Sequence, residues 1–174
     1  MADTVTSNIK ASVDWLRITP LDLSNVTDSG GTASPPAYSK SLASGTAVDT
    51  ADRVWADTRT LASAANDDLD LTALTATIFG STVTVTMAKL KAIYIVHSST
   101  TVGEKLNLDT SVANGLTAFT GSATGKVSVG ADSVLLLTSK KDGWTIDGTH
   151  KVVRITNAGS ASAVYYIVLL GTSA

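Results

Sequence analysis

His97, followed at once by Ser98 and Ser99 in the stretch KLKAIYIVHSST, is where the residue types of this 174-residue chain first look able to do chemistry. An imidazole beside a hydroxyl can serve as the general base of a nucleophile. That arrangement needs the serine on a constrained turn, as in G-x-S-x-G, and a third group to orient the ring. Neither flank of His97 supplies a glycine, and the hydroxyl run leads into the turn Val102-Gly103-Glu104. Alternation places Ile93, Ile95 and His97 on one face of an extended segment and Tyr94 and Val96 on the other. His97 therefore reads as the end of a strand with one ring nitrogen hydrogen-bonded.

The other reactive residue types are equally isolated. His150 follows Asp147 by three positions, but zinc needs three or four converging ligands, and the one other histidine is His97. A turn residue entering a strand is the simpler reading. Asp67, Asp68 and Asp70 in NDDLDL are close enough to suggest a calcium loop, yet that loop requires a glycine at its sixth position and a later glutamate. The next glycine here is Gly80. Asp49, Asp52 and Asp57 lie beside Arg53 and Arg59 and read as a solvated face with local ion pairs. Glu104 is the only glutamate, so a paired-carboxylate glycosidase would have to be built from aspartates. GSATGK, Gly121 to Lys126, is one residue short between its glycines for a phosphate loop and continues into Val127 and a strand. Trp144 starts a strand after the turn KKDG, where a large ring plugs the end of a sandwich or, in the alternative reading, stacks on a sugar. No catalytic residue, cofactor site or metal site is expected.

The elements that would have to position these residues are strands. Apolar residues make up 44 % of the chain and charged residues 16 %, which excludes a charge-driven disordered polymer. Abundant Thr and Val suit a pleated, half-buried surface. A net charge of −2 gives no general attraction to phosphate backbones or anionic lipid, so neither nucleic acid nor membrane is an expected partner. No apolar run approaches the roughly 18–20 residues that span a bilayer, and MADTVTSNIK shows no signal-peptide pattern. Without cysteine there are no disulfides and no thiolate metal sites. Synthesis in a reducing cytoplasm fits.

Two regions differ in composition. Residues 1–60 hold all three prolines and the loop-like SNVTDSGGTASPPAY. Before that loop, IKASVDWLRI alternates as a strand with Trp15 inward. GTAVDTADRVWADTRTL reads either as a short amphipathic helical turn or as extended chain. From residue 61, DDLDL is followed by a short helix or turn up to Gly80, and STVTVTMA alternates as a half-buried strand. LKAIYIVHS, EKLNLDT, KVSVG, SVLLLTS, GWTID, KVVRITN and AVYYIVLLG then recur between Gly, Asn, Asp and Ser turns. The expected fold is all-β: an antiparallel β-sandwich, jelly-roll-like, over residues 61–174, with an extended N-terminal arm and loop-rich segment over 1–60 that packs either as part of the sandwich or on a partner. SVLLLTS and AVYYIVLLG are apolar on nearly every residue, so both faces need cover, and a second subunit is the favoured cover.

The order of VWADTRTLASAANDDLDL, VTVTMAKLKAIYIVHSSTTVGEKLNL, GKVSVGADSVLLLTSKKDGWTID and VVRITNAGSASAVYYIVLLGTSA resembles tailed-bacteriophage virion proteins, and among them the small head-decoration, or cement, proteins. The resemblance covers roughly residues 45–174, rests on strand and turn patterns, and carries over no functional residue. It implies a virion structural protein, not an enzyme, made in the host bacterial cytoplasm and located on the capsid surface. It further implies a homotrimer that bridges subunits of the major capsid protein. The oligomer interface is expected at Leu135, Leu137, Tyr165, Ile167 and Leu169, and the capsid contact at Ile9, Trp15 and Trp55. The alternative is a tail or fibre component that binds a host surface glycan through Trp144, Tyr38 and the Ser/Thr-rich turns.

Overall fold

The computed structural model describes residues 4–12, 15–20, 25–30, 38–78 and 80–174. They divide into two compact units, Thr6–Leu42 and the rest. In the small unit, β1 (Ser7–Ala11) pairs antiparallel with β4 (Tyr38–Leu42), and β2 (Trp15–Pro20) with β3 (Asn25–Gly30). The stretch expected as one strand from Ile9 to Ile18 is thus two strands. Residues 13–14, and the Gly31 and Pro35–Pro36 of the expected loop, lie outside the described residues.

The large unit is the antiparallel β-sandwich. Its first sheet runs β12 (Ser133–Thr138), β9 (Lys89–His97), β15 (Ala163–Thr172), β5 (Arg53–Leu61), with β13 (Trp144–Thr145) also on β9. Its second runs β11 (Lys126–Gly130), β10 (Lys105–Asp109), β14 (Val152–Asn157), β6 (Asn66–Asp70). β7 (Leu74–Ile78) and β8 (Ser81–Val85) form a separate hairpin. Two expectations change here. The boundary falls after Leu42, because β5 pairs with β15 along its whole length and is a sandwich strand. Leu74–Ile78 is extended, and β8 is mostly exposed, with Val85 but not Val83 against the core.

The core lies between the inward rows of the two sheets. Trp55, Ile93, Ile95, Tyr165, Ile167 and Leu169 come from the first, and Leu69, Leu106, Leu108, Val129, Val153 and Ile155 from the second. Each fully buried aliphatic side chain of this kind contributes about 1.5–3 kcal/mol. Trp55 also satisfies its indole N–H, which donates to the Thr75 carbonyl at 2.8 Å. At one edge a polar staple joins the sheets: Arg59 of β5 grips Asp67 of β6 through two 2.8 Å bonds, and the Tyr165 hydroxyl of β15 donates to the same carboxylate at 2.6 Å.

That staple sets an acid limit. Burial pushes the Asp67 carboxyl up, but the bonds from Arg59 and Tyr165 outweigh it and hold the group below its ordinary range. Asp70, with Lys151 and Thr72, and Asp109, with Lys126 and Ser111, are lowered in the same way against burial. A carboxyl depressed by folding contributes stability that is complete above its unfolded value, near 4, and is lost as pH falls through the folded value. The urea midpoint should therefore fall as pH drops below about 4. Asp67→Asn should cost about 2 kcal/mol at neutral pH, the loss of charge-assisted bonds, and flatten the acid limb of the stability curve.

Candidate functional site

The two outer faces of the sandwich are chemically opposite. On the second sheet, cross-strand partners are ion-paired: Arg154 holds Asp68 through 2.6 and 2.7 Å bonds, and Lys126 reaches Asp109 at 2.9 Å. Lys151 meets Asp70 at 2.7 Å, and Thr156 donates to Asn66 at 2.8 Å. This is a face made for water. On the first sheet the strand register lines up Thr58, Tyr166, Val96 and Val134 in one row, and Ala56, Val168, Tyr94 and Leu136 in the next. Val54 follows below, opposite Leu170. Val134 is 62 % exposed and Tyr166 49 %, with Val54, Tyr94 and Val164 also open. A shallow depression of about 370 Å³ runs along Ala56, Thr58, Tyr166 and Val168. An antiparallel sheet turned to solvent normally carries polar residues there, and a contiguous apolar patch marks an interaction surface.

This face lies one residue out of phase with the expected one. Tyr165, Ile167 and Leu169 point into the chain's own core and are at most 1 % exposed. Leu135 and Leu137 are half-buried against that core. The same strands present Val164, Tyr166, Val168, Val134 and Leu136 outward, because successive side chains alternate across a strand. Trp55 is likewise a core residue and offers no contact surface, and Ile9 is buried on β1. Trp15 begins β2, and its side chain lies outside the described residues.

His97 ends β9, as the alternation requires, and is fully buried. Its Nδ1 lies 2.9 Å from the Gly130 carbonyl, so that nitrogen carries the proton and donates. Nε2 has no partner among the described residues. The Ser98 hydroxyl donates to the Val164 carbonyl at 2.8 Å, and the Ser99 hydroxyl accepts from Thr101 N–H. Imidazole and hydroxyls are each tied to backbone and form no Ser–His pair. Asp147 closes a turn, accepting from the backbone N–H of Thr149 and His150 and from the Thr149 hydroxyl. These bonds, with His150 Nδ1 at 3.2 Å, hold its carboxyl down to about 2. Asp67, Asp68 and Asp70 each face a different cation, Arg59, Arg154 and Lys151. Among the described residues no three potential ligands converge on a metal position. Trp144 is half-buried, packed edge-on against Phe119 with ring centroids 6.2 Å apart, and Tyr38 is exposed on β4.

Sequence reasoning missed two buried polar residues that hold one turn. Glu104 accepts from Ser160 N–H and hydroxyl and from Ala161 N–H, and those bonds keep its carboxyl below the usual range. Asn157 also binds this turn, donating to the Ala161 carbonyl and accepting from Gly159 N–H. Their signal was faint: one glutamate in a serine- and threonine-rich chain, and an asparagine at a strand end. Comparison with protein-family models, curated proteins and solved structures gives no match.

Proposed function

We propose that this chain is a non-catalytic virion structural protein of the tailed-bacteriophage head, a cement protein that trimerises and bridges subunits of the major capsid protein. The observation that carries the reading is the contrast between the outer faces: one is a ladder of ion pairs, the other a row of exposed valines and tyrosines. A protein that works by adhesion needs such a rigid apolar face and no reactive centre. In this reading Tyr94, Val134, Tyr166 and Val168 of one copy pack on a neighbouring copy, and threefold closure hides all three patches. Binding only the assembled shell then stabilises it by mass action, about 2.7 kcal/mol per site at a hundredfold excess over Kd.

The test is mass and co-sedimentation. At micromolar concentration light scattering should give about 53 kDa, three times the 17.8 kDa chain. The protein should sediment with expanded heads that lack tails. Tyr166→Glu with Val134→Glu changes exposed side chains only, so the fold should survive. Two unpaired carboxylates per copy in the contact should weaken assembly by roughly a hundredfold or more and leave monomer. A wild-type monomer, or a variant that still trimerises, refutes the assembly.

A further inference from the structure

At the end of the first sheet a cleft of about 430 Å³ opens between β9, the turn before β13 and the segment around Thr46. Its lining contains three lysines, Lys89, Lys91 and Lys141, and one acid, Asp142, a net charge of +2. Asp49 adds only a paired charge, since Lys140 holds it at 2.9 Å.

Lys91 is the unusual member. Opposite it β15 steps from Leu170, paired with Ala92, to Gly171, paired with Leu90, so Lys91 is the extra residue of a β-bulge. Bulges re-aim a side chain where plain alternation could not place it. Here the bulge lets Leu90 enter the core while Lys91 lines the cleft, with 2 % of its surface exposed. Its ammonium has three donors, and among the described residues one is used, to the Lys141 carbonyl at 2.5 Å. No carboxylate among the described residues pairs with it within salt-bridge range. Burial first, and then the charge of Lys89, push its pKa down against the weaker pull of Asp142 and Asp49, which raise it. Gly143 closes the wall: a Cβ there would meet Lys89 Cβ and Lys91 Cδ at 3.2 Å, so the missing side chain leaves room for both lysine stems.

A buried, under-bonded ammonium beside two like charges is costly in the empty protein. An anion in the cleft would supply acceptors for the spare donors and cancel the repulsion. We propose that this cleft binds a tetrahedral dianion, the phosphate of a small monoester, with Lys91 as its buried anchor and Lys89 and Lys141 closing on the remaining oxygens. Lysines bind phosphate as point charges. The +2 lining matches a monoester, which carries close to two negative charges at neutral pH, and not a diester, which carries one. A cleft of this volume is in the range of small-molecule sites.

The experiment is calorimetric titration of the full chain at pH 7.5 and constant ionic strength, with chloride as the balancing anion. Inorganic phosphate and glucose 6-phosphate are the monoester-type probes, and dimethyl phosphate is the diester probe. Saturable one-site binding of the first two, with dimethyl phosphate at least tenfold weaker, is expected. Lys91→Met should weaken phosphate binding at least tenfold. Lys141→Gln keeps the backbone carbonyl that Lys91 uses and alters an exposed side chain, so it should fold normally and weaken binding about threefold. Lys105→Gln, an exposed side chain at the start of β10, should change nothing. If phosphate and glucose 6-phosphate do not saturate the wild-type chain, or if Lys91→Met and Lys141→Gln both bind like it, the site is refuted. Equal binding of dimethyl phosphate refutes the charge match.

Discussion

Gly171→Ala should destabilise the chain by about 3 kcal/mol, the upper end of the cost of forcing atoms into a packed interior. For a protein of this size that lowers Tm by roughly 10 °C. The cause is steric. Gly171 lies opposite Leu90 on β9 and Arg53 on β5, at the bulge. A methyl group there would collide with the Lys89 carbonyl oxygen and sit 2.8 Å from Met87 Sδ. The sulfur can move. The carbonyl cannot swing away without disturbing the pairing of β9 with β15, the two inner strands of the sheet. Gly148→Ala is the control: nothing lies within 4 Å of its Cβ, and its change should stay within about 0.5 kcal/mol. Urea midpoints of the two variants against wild type decide it. A Gly171→Ala midpoint equal to that of Gly148→Ala would mean the bulge relaxes freely. The same substitution should also displace Lys89 and weaken any ligand in the lysine cleft.

That bulge explains both what could be read in advance and what could not. Strands announced by period-two alternation between turn residues are where the alternation put them: EKLNLDT is β10, KVSVG is β11 and KVVRITN is β14. In each, polar residues mark the outside, so the inward face is unambiguous. AVYYIVLLG and SVLLLTS have no such marker. Both the odd and the even residues of β15 are apolar, and only pairing with β9, which puts Tyr165 opposite His97, settles which row is inside. The row expected at an interface, Tyr165, Ile167 and Leu169, lies in the core, and Val164, Tyr166 and Val168 face outward. In β9 the alternation from Ile93 predicts Leu90 outward, yet it is fully buried. One inserted residue reverses the phase, and nothing local in Lys-Leu-Lys signals it. VWADTRTL was ambiguous for a different reason: Val54–Trp55 suits a helical turn or a strand, and the choice came from β15 alongside it. Trp55 lies inside, where its N–H donates to the Thr75 carbonyl.

The polar interior is where sequence patterns are weakest and the expected effects largest. Asn157 is 1 % exposed at the end of β14. The two hydrogens of its Nδ2 serve three carbonyls, Leu61 at 2.9 Å, Ala62 at 3.1 Å and Ala161 at 2.8 Å, with one hydrogen shared, and its Oδ1 accepts from Gly159 N–H at 2.9 Å. One amide thus ties the end of β5 to the turn between β14 and β15. Asn157→Leu keeps the volume but removes its bonds to the buried Leu61 carbonyl and to the part-buried Ala62, Ala161 and Gly159 backbone groups. A buried unsatisfied group costs about 1–3 kcal/mol, so the total should reach about 4 kcal/mol, more than the Gly171 substitution. Asn157→Asp separates hydrogen bonding from packing. The carboxylate keeps the bond from Gly159 but faces three carbonyls with no donor. Glu104 lies beside the same glycine, within contact of where a Cβ of Gly159 would be. Carbonyls and a like charge raise the folded pKa of the introduced carboxyl. Its protonated form can donate to one carbonyl, so stability is retained below the unfolded value near 4 and lost as pH rises through the folded value. Asn157→Asp should therefore unfold more easily at pH 7 than its difference from wild type at pH 4 predicts, whereas the deficit of Asn157→Leu should be the same at both. Parallel pH profiles for the two variants would show that Asn157 acts by filling space and that its bonds are dispensable.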